Sequence, residues 1–182
     1  VDKQKIIDGS NVNDGDILLG ISSSGAHSNG YSLIRKIMSE KKVDLNCSFD
    51  NKTLGEVLMQ PTKIYTKPIL NLLKIEKIYA MAHITGGGLI ENIPRVIPND
   101  LKAVINKNSW EIPHLFKWIK SEANLSEEEL FKTFNCGIGM VLVIKHQSKD
   151  KIINSLKNSK EEVYEIGKII RKDINDSQIQ II

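Results

Sequence analysis

Cysteine is scarce. Cys47 and Cys136 are the only two, they lie far apart, and they form no CxxC pair. That leaves no basis for a disulfide framework and fits a reducing, cytoplasmic setting. Arginine is scarcer than the net charge of +3 suggests, with only Arg35, Arg95 and Arg171. The positive charge is almost all lysine, scattered rather than clustered. It reads as solvated helix faces, not as a nucleic-acid footprint. No apolar run approaches the ~18 residues of a membrane span. His27, His83, His114 and His146 show no HxH or HxxxH spacing, so no metal site is expected. The chain has no GxxxxGK[ST] phosphate loop, no GxGxxG fingerprint and no GxSxG elbow. No charged-then-apolar leader opens it, and it starts on Val1 rather than Met. It is therefore expected to be a piece of a longer polypeptide.

What is present is an ordinary globular composition, 41% hydrophobic and 26% charged over 182 residues. That is enough for one domain with its own core. Strand patterns fall at 17–21, 78–84, 101–106, 140–145 and 163–170, with a short one at 179–182. Helical patterns fall at 30–41, 64–75, 89–93, 113–121 and 148–157. Two further helices open on capping boxes, Thr53 with Glu56 and Ser126 with Glu129. Val43–Lys52 reads as a loop. Trp110, Phe116 and Trp118 read as core or helix packing. Alternating strands and helices predict a layered α/β (α+β) domain with helices packed on a sheet.

Three glycine-rich turns interrupt this pattern. The first, Ser22–Gly30, joins a strand to a helix. Strand, small-residue loop and helix start is how α/β proteins hold anions, because backbone N–H groups there lack intrahelical partners. Ser23, Ser24 and Gly25 would supply donors, with His27, Ser28 and Asn29 orienting a ligand ahead of Gly30. The same residues could simply turn the chain and cap the helix. The crowding of Ser, His and Asn favours a ligand. The second turn is Thr85-Gly86-Gly87-Gly88. Three glycines are entropically costly and suit either a tight turn or an anion-binding nest. His83, just before it, is a candidate contact, although a core or supporting role is the simpler reading. The third, Gly137-Ile138-Gly139, precedes an apolar strand and reads first as a bulge or close packing.

Six segments in order resemble the phosphoribosylformylglycinamidine cyclo-ligase family, the aminoimidazole ribonucleotide synthetases. They are GDILLGISSSGAHSNGYSLIRK (15–36), QPTKIYTKPIL (60–70), AHITGGGLIENIPRVIP (82–98), WEIPHLFKWI (110–119), FNCGIGMVLVI (134–144) and YEIGKI (164–169). The match is to the C-terminal half of that family's subunit. It implies a mixed sheet covered by helices, with residues 1–182 as the C-terminal domain and the ATP-binding N-terminal domain outside this chain. It implies an ATP- and Mg²⁺-dependent ring closure of formylglycinamidine ribonucleotide in purine synthesis. ATP and Mg²⁺ would be held mainly by the missing half. The full-length protein would be a homodimer, with no membrane or nucleic-acid partner. His27 is implied as catalytic or orienting, with the Ser23–Gly30 and Thr85–Gly88 turns on substrate phosphate. Lys63, Tyr65, His83 and Asn92 are further implied contacts. Alternatives are other members of the superfamily (formylglycinamidine ribonucleotide synthase, thiamine-phosphate kinase, selenophosphate synthetase) or a non-catalytic nucleotide-binding module.

Overall fold

Every residue from Ile17 to Ile21 is buried, so this strand has helices on both sides. A strand covered on both faces reads as a continuous apolar run rather than an alternating one. The computed structural model describes residues 5–182. The first four residues, part of the stretch read for a leader, lie outside the described residues. Strand β1 (Ile17–Ser22) sits inside a six-stranded sheet. Numbering strands in chain order gives β2 (Ser48–Phe49), β3 (Lys52–Thr53), β4 (Ala80–His83), β5 (Leu101–Ile105), β6 (Ile138–Ile144), β7 (Val163–Arg171) and β8 (Ile179–Ile181). The main sheet runs β4-β6-β1-β7-β5-β8. All its pairs are antiparallel except β5 with β8, so the sheet is mixed as expected.

The helices are α1 (Tyr31–Lys41), α2 (Leu54–Leu58), α3 (Thr66–Leu72), α4 (Gly88–Asn92), α5 (His114–Glu122), α6 (Glu127–Thr133) and α7 (Lys149–Asn158). Side chains alternate across the sheet. Ile17, Leu19, Ile21, Leu142 and Ile144 meet Ile69 and Leu72 of α3 and Ile152 and Leu156 of α7. Leu18, Val141 and Val143 face the other way, into a larger core with Ile34, Leu89, Phe116, Phe131 and Phe134 from α1, α4, α5 and the α6 region. Both capping boxes form as read. The 43–52 stretch, read as loop, carries the small β2–β3 hairpin. Helix α3 is shorter than its pattern. Pro68 allows only a first-turn start, and the apolar Ile64, Leu73 and Ile75 lie beyond its ends. No helix among the described residues is long and apolar enough to cross a membrane.

The topology places the three glycine turns together. Strands β1 and β4 both pair antiparallel with β6 and so run in the same direction. Ser22 ends β1 opposite Ile138, and His83 ends β4 opposite Met140. The turns after β1 and β4 therefore leave the sheet on either side of the point where Gly137-Ile138-Gly139 enters it.

Candidate functional site

The site is built outward from Gly139. A Cβ there would run into the Tyr65 hydroxyl and lie 2.7 Å from His27 Cε1. Close packing is thus the reason for this glycine, and what it admits is two polar rings. His27, Tyr65 and His83 form a triangle with ring centroids 5.9–6.3 Å apart. His27 and Tyr65 are buried, while His83 is exposed and does not belong to the core.

The first turn is held rigidly. Asn135, fully buried, accepts from Ser23 Oγ (3.0 Å) and from the Gly137 N–H (2.9 Å), and donates to the Gly25 carbonyl (2.9 Å). The Ser23 N–H donates to the Gly137 carbonyl at 2.8 Å. Ser24 Oγ donates to the Pro61 carbonyl at 2.7 Å, and Ser28 Oγ lies 3.2 Å from Thr62 Oγ1. The hydroxyls of Ser23, Ser24 and Ser28 therefore all have protein partners. Asn29 takes part through its backbone N–H, which donates to the Ala26 carbonyl. Gly30 starts α1 with φ +73°, and a Cβ there would strike the Phe134 ring. The backbone is also open here: within the described residues no hydrogen bond uses the N–H groups of Gly25 or Ala26.

His27 has a left-handed backbone, φ +56°. Its Nε2 accepts from the Ser24 N–H at 3.2 Å and lies 3.5 Å from the Lys63 N–H. Its Nδ1 is buried without a hydrogen-bond partner in the described structure. Burial pushes the ring's pKa down to about 4, and the positive charges of His83 and Lys63 add to the effect. The folded value lies below the unfolded value of 6.5, so this contribution to stability is complete above pH 6.5 and is lost as pH falls through about 4. The expected loss near pH 4 is about 3 kcal/mol. Urea midpoints of wild type and His27→Asn across that range should converge as the wild type loses this term.

Lys63 is not free to meet a ligand. Its Nζ donates to the Ser22 carbonyl and hydroxyl, each at 3.1 Å, and pairs with Glu161 Oε2 at 2.6 Å. The two side chains are only 23% and 11% exposed. The Tyr65 hydroxyl also donates to the Ser22 carbonyl, at 2.8 Å. Burial, reinforced by the Glu161 charge, pushes the phenol above its ordinary pKa, so it stays protonated. Lys63, Tyr65 and Glu161 together pin the end of β1 where the turn begins. Glu161→Gln should cost about 3 kcal/mol by stranding the ammonium, whereas the double change Lys63→Met/Glu161→Leu should recover most of it. A double-mutant cycle by urea unfolding checks this.

The second turn divides by residue. Gly87 (φ +94°) and Gly88 (φ +57°) need glycine for their backbone. Gly88 also packs on backbone, with the Phe134 carbonyl 2.8 Å from where a Cβ would sit. Buried Asn92 donates to the carbonyls of Gly86 (3.1 Å) and Gly88 (2.8 Å) and accepts from Thr85 Oγ1 (3.2 Å). Thr85 and Asn92 are thus internal braces. Gly86 differs. It has no left-handed φ, nothing lies within 4 Å of its would-be Cβ, and it is exposed. Its N–H and that of Gly87 are not taken up by any hydrogen bond within the described residues. The tight-turn reading explains Gly87 and Gly88 and leaves Gly86 unexplained.

Asn135 and Glu161 are the site residues that sequence reasoning missed. Asn135 stands two residues before the Gly137-Ile138-Gly139 run, with Cys136 between, and that nearness was the one available signal. Glu161 sits among surface-like charges and gave none. Beside the triangle, a groove of about 450 Å³ is lined by Ile64, Leu70, Leu73, Met81, His83 and Met140, among others.

Residues 13–180 match the family described as AIR synthase related protein, C-terminal domain. A phosphoribosylformylglycinamidine cyclo-ligase of Methylobacillus flagellatus is 46% identical over 181 residues, covering 100% of this chain and 52% of the relative. One of Cupriavidus pinatubonensis is 44% identical over 182 residues, with the same coverage. The chain thus spans about half the length of the curated relatives it matches. Among solved structures, thiamine-monophosphate kinase of Stenotrophomonas maltophilia superposes with a TM-score of 0.67 at 15% identity, over 100% of this chain and 54% of that one. The hydrogenase maturation protein HypE in complex with ATP gives 0.58 at 13%, over 95% and 49%. At such identities these likenesses concern the fold alone.

Proposed function

We propose a function from one premise: the chain belongs to the AIR synthase related protein, C-terminal domain family. It is the C-terminal half of a phosphoribosylformylglycinamidine cyclo-ligase and forms the ribonucleotide-facing wall of its active site. The observation that carries this reading is the meeting of two turns at one end of the sheet. Each offers unused backbone N–H groups, at Gly25 and Ala26 and at Gly86 and Gly87, around a buried histidine. Such groups suit phosphate oxygens, since they donate without the cost of desolvating a charge.

The reaction is ATP-dependent ring closure in purine biosynthesis. ATP phosphorylates the formyl oxygen of formylglycinamidine ribonucleotide. The ribosyl-bearing nitrogen attacks the activated carbon, phosphate leaves, and aminoimidazole ribonucleotide forms with ADP. This domain's share is positioning, which supplies much of the rate in ring closures and phosphoryl transfers. The N–H groups anchor phosphate, and the rigid Asn135 and Lys63–Glu161 braces hold those groups in place. Among the described residues no group of three His, Cys, Asp or Glu side chains is placed to hold a metal ion. Mg²⁺ and most ATP contacts are assigned to the other half of the polypeptide, as the family resemblance implies.

The apolar groove beside His83 would seat that other half. Ile64 and Leu70 are 79% and 54% exposed around the groove beside His83. Covering them would complete the site. A homodimer and a cytoplasmic location go with this reading of the whole enzyme. Thiamine-monophosphate kinase, one of the alternatives, shares the fold at 15% identity, against 46% for the cyclo-ligase.

The test is ATP-dependent formation of aminoimidazole ribonucleotide by this domain alone and combined with the remaining half. Ring closure is expected only from the combination. Full turnover by this domain alone would overturn the two-half division. Failure of the combined protein to close the ring, with both halves folded, would overturn the substrate.

A further inference from the structure

We propose that His27 serves the site as a hydrogen-bond donor of fixed tautomer, offering Nδ1–H to a phosphate or carbonyl oxygen of the bound ribonucleotide, and never acts as its base. The role presupposes that the turns take a ribonucleotide. Nε2 faces two backbone N–H groups, from Ser24 at 3.2 Å and Lys63 at 3.5 Å. A backbone N–H can only donate, so Nε2 must keep its lone pair and the neutral ring must carry its proton on Nδ1. That donor is buried and meets no acceptor in the described structure. Buried donors almost always have partners, and one left open needs a reason.

The surroundings give no other reason. From β4 comes His83, whose ring lies 6.3 Å away. From the segment before α3 come Lys63 and Tyr65, the first committed to Glu161 and Ser22 and the second to the Ser22 carbonyl. From β6 comes Gly139, which presents bare backbone beside Cε1, the carbon bonded to Nδ1. The Glu161 carboxylate is ion-paired with Lys63 at 2.6 Å, and although its Oε2 is likewise buried without a hydrogen bond, it makes none to His27 Nδ1. Burial, with the nearby Lys63 ammonium adding to it, lowers the ring's pKa and keeps the imidazole neutral through the physiological range. The arrangement removes basicity from one nitrogen and leaves a preset donor at the other. A donor aimed at an oxygen that gains charge during reaction stabilises it without rearrangement.

Long-range ¹H–¹⁵N spectra of the histidine rings test this on the wild-type domain, so no variant has to fold. An unprotonated Nε2 and a protonated Nδ1 are expected for His27, unchanged between about pH 5 and pH 8. Addition of aminoimidazole ribonucleotide should then move the Nδ1–H signal together with the Gly25 and Gly86 amides. A proton on Nε2, or a ring that titrates near its ordinary value, overturns the inference. So does a bound ribonucleotide that moves the amides and leaves Nδ1–H unchanged. If neither the ribonucleotide nor inorganic phosphate moves any turn amide while the tautomer is as stated, the ribonucleotide reading itself fails and the donor role falls with it. As a second readout, His27→Asn places an amide nitrogen near the Nδ1 position and His27→Gln near Nε2. Ribonucleotide binding should be weakened at least about tenfold more by Gln than by Asn. The reverse order counts against the donor role.

Discussion

Asn135→Ala should destabilise the domain by about 3–5 kcal/mol, among the largest losses available from one polar side chain. Asn135 is fully buried and all its hydrogen-bonding atoms are engaged. Oδ1 accepts from Ser23 Oγ and the Gly137 N–H, and Nδ2 donates to the Gly25 carbonyl. Truncation leaves three partners unsatisfied at once, each at about 1–3 kcal/mol, and water reaches only some of them. The change also releases the first turn, because Ser23 and Gly25 are joined across it by this one amide. Urea unfolding should therefore show a lower midpoint, and hydrogen exchange should be faster around residues 23–28 even where the domain remains folded. Asn135→Asp keeps the acceptor oxygen but loses the donor to Gly25 and buries a charge, so it should be no better tolerated. A loss under about 1 kcal/mol for Asn135→Ala would mean that the turn is held by something other than this clamp.

The glycines of the second turn should respond in opposite ways to the same added methyl group. Gly88→Ala should cost more than about 3 kcal/mol or prevent folding. The new Cβ strikes the Phe131 carbonyl and crowds that of Phe134, and both are backbone, so no rotamer change relieves the clash. The left-handed φ of +57° adds about 1 kcal/mol. Gly86→Ala should stay within about 0.5 kcal/mol of wild type, since its φ is ordinary and its surroundings are open. If the fold does not need glycine at 86, the remaining reason for it is close approach of a ligand to the backbone. Thermal unfolding of the two variants separates the structural glycine from the functional one.

Local patterns were legible in the chain. Both capping boxes, the buried β1 run and the helix that follows the first turn all depend on residues within a few positions of each other. The meeting of the two principal turns was not legible from spacing. It depends on β6 lying between β1 and β4, and the β1–β6 pairing joins residues more than a hundred positions apart. For the same reason Lys63 was expected among the ligand contacts and not in an ion pair. Its partner Glu161 is remote in sequence, and only the fold brings them within 2.6 Å. Gly139 was readable as close packing, but not as the space for His27 and Tyr65. The serines of the first turn were readable as polar groups crowded for a purpose. The fold gives the Ser23 and Ser24 hydroxyls protein partners, and within the described residues no hydrogen bond uses the Gly25 and Ala26 N–H groups.

The central claim is that the turns around His27 and Gly86 form one ribonucleotide-binding wall. Equilibrium dialysis of aminoimidazole ribonucleotide against wild type and Gly86→Ala tests it most directly. Wild type should bind, and Gly86→Ala, with unchanged thermal stability, should bind at least about tenfold more weakly. Equal binding by both proteins, or none by the folded wild type, would contradict the claim.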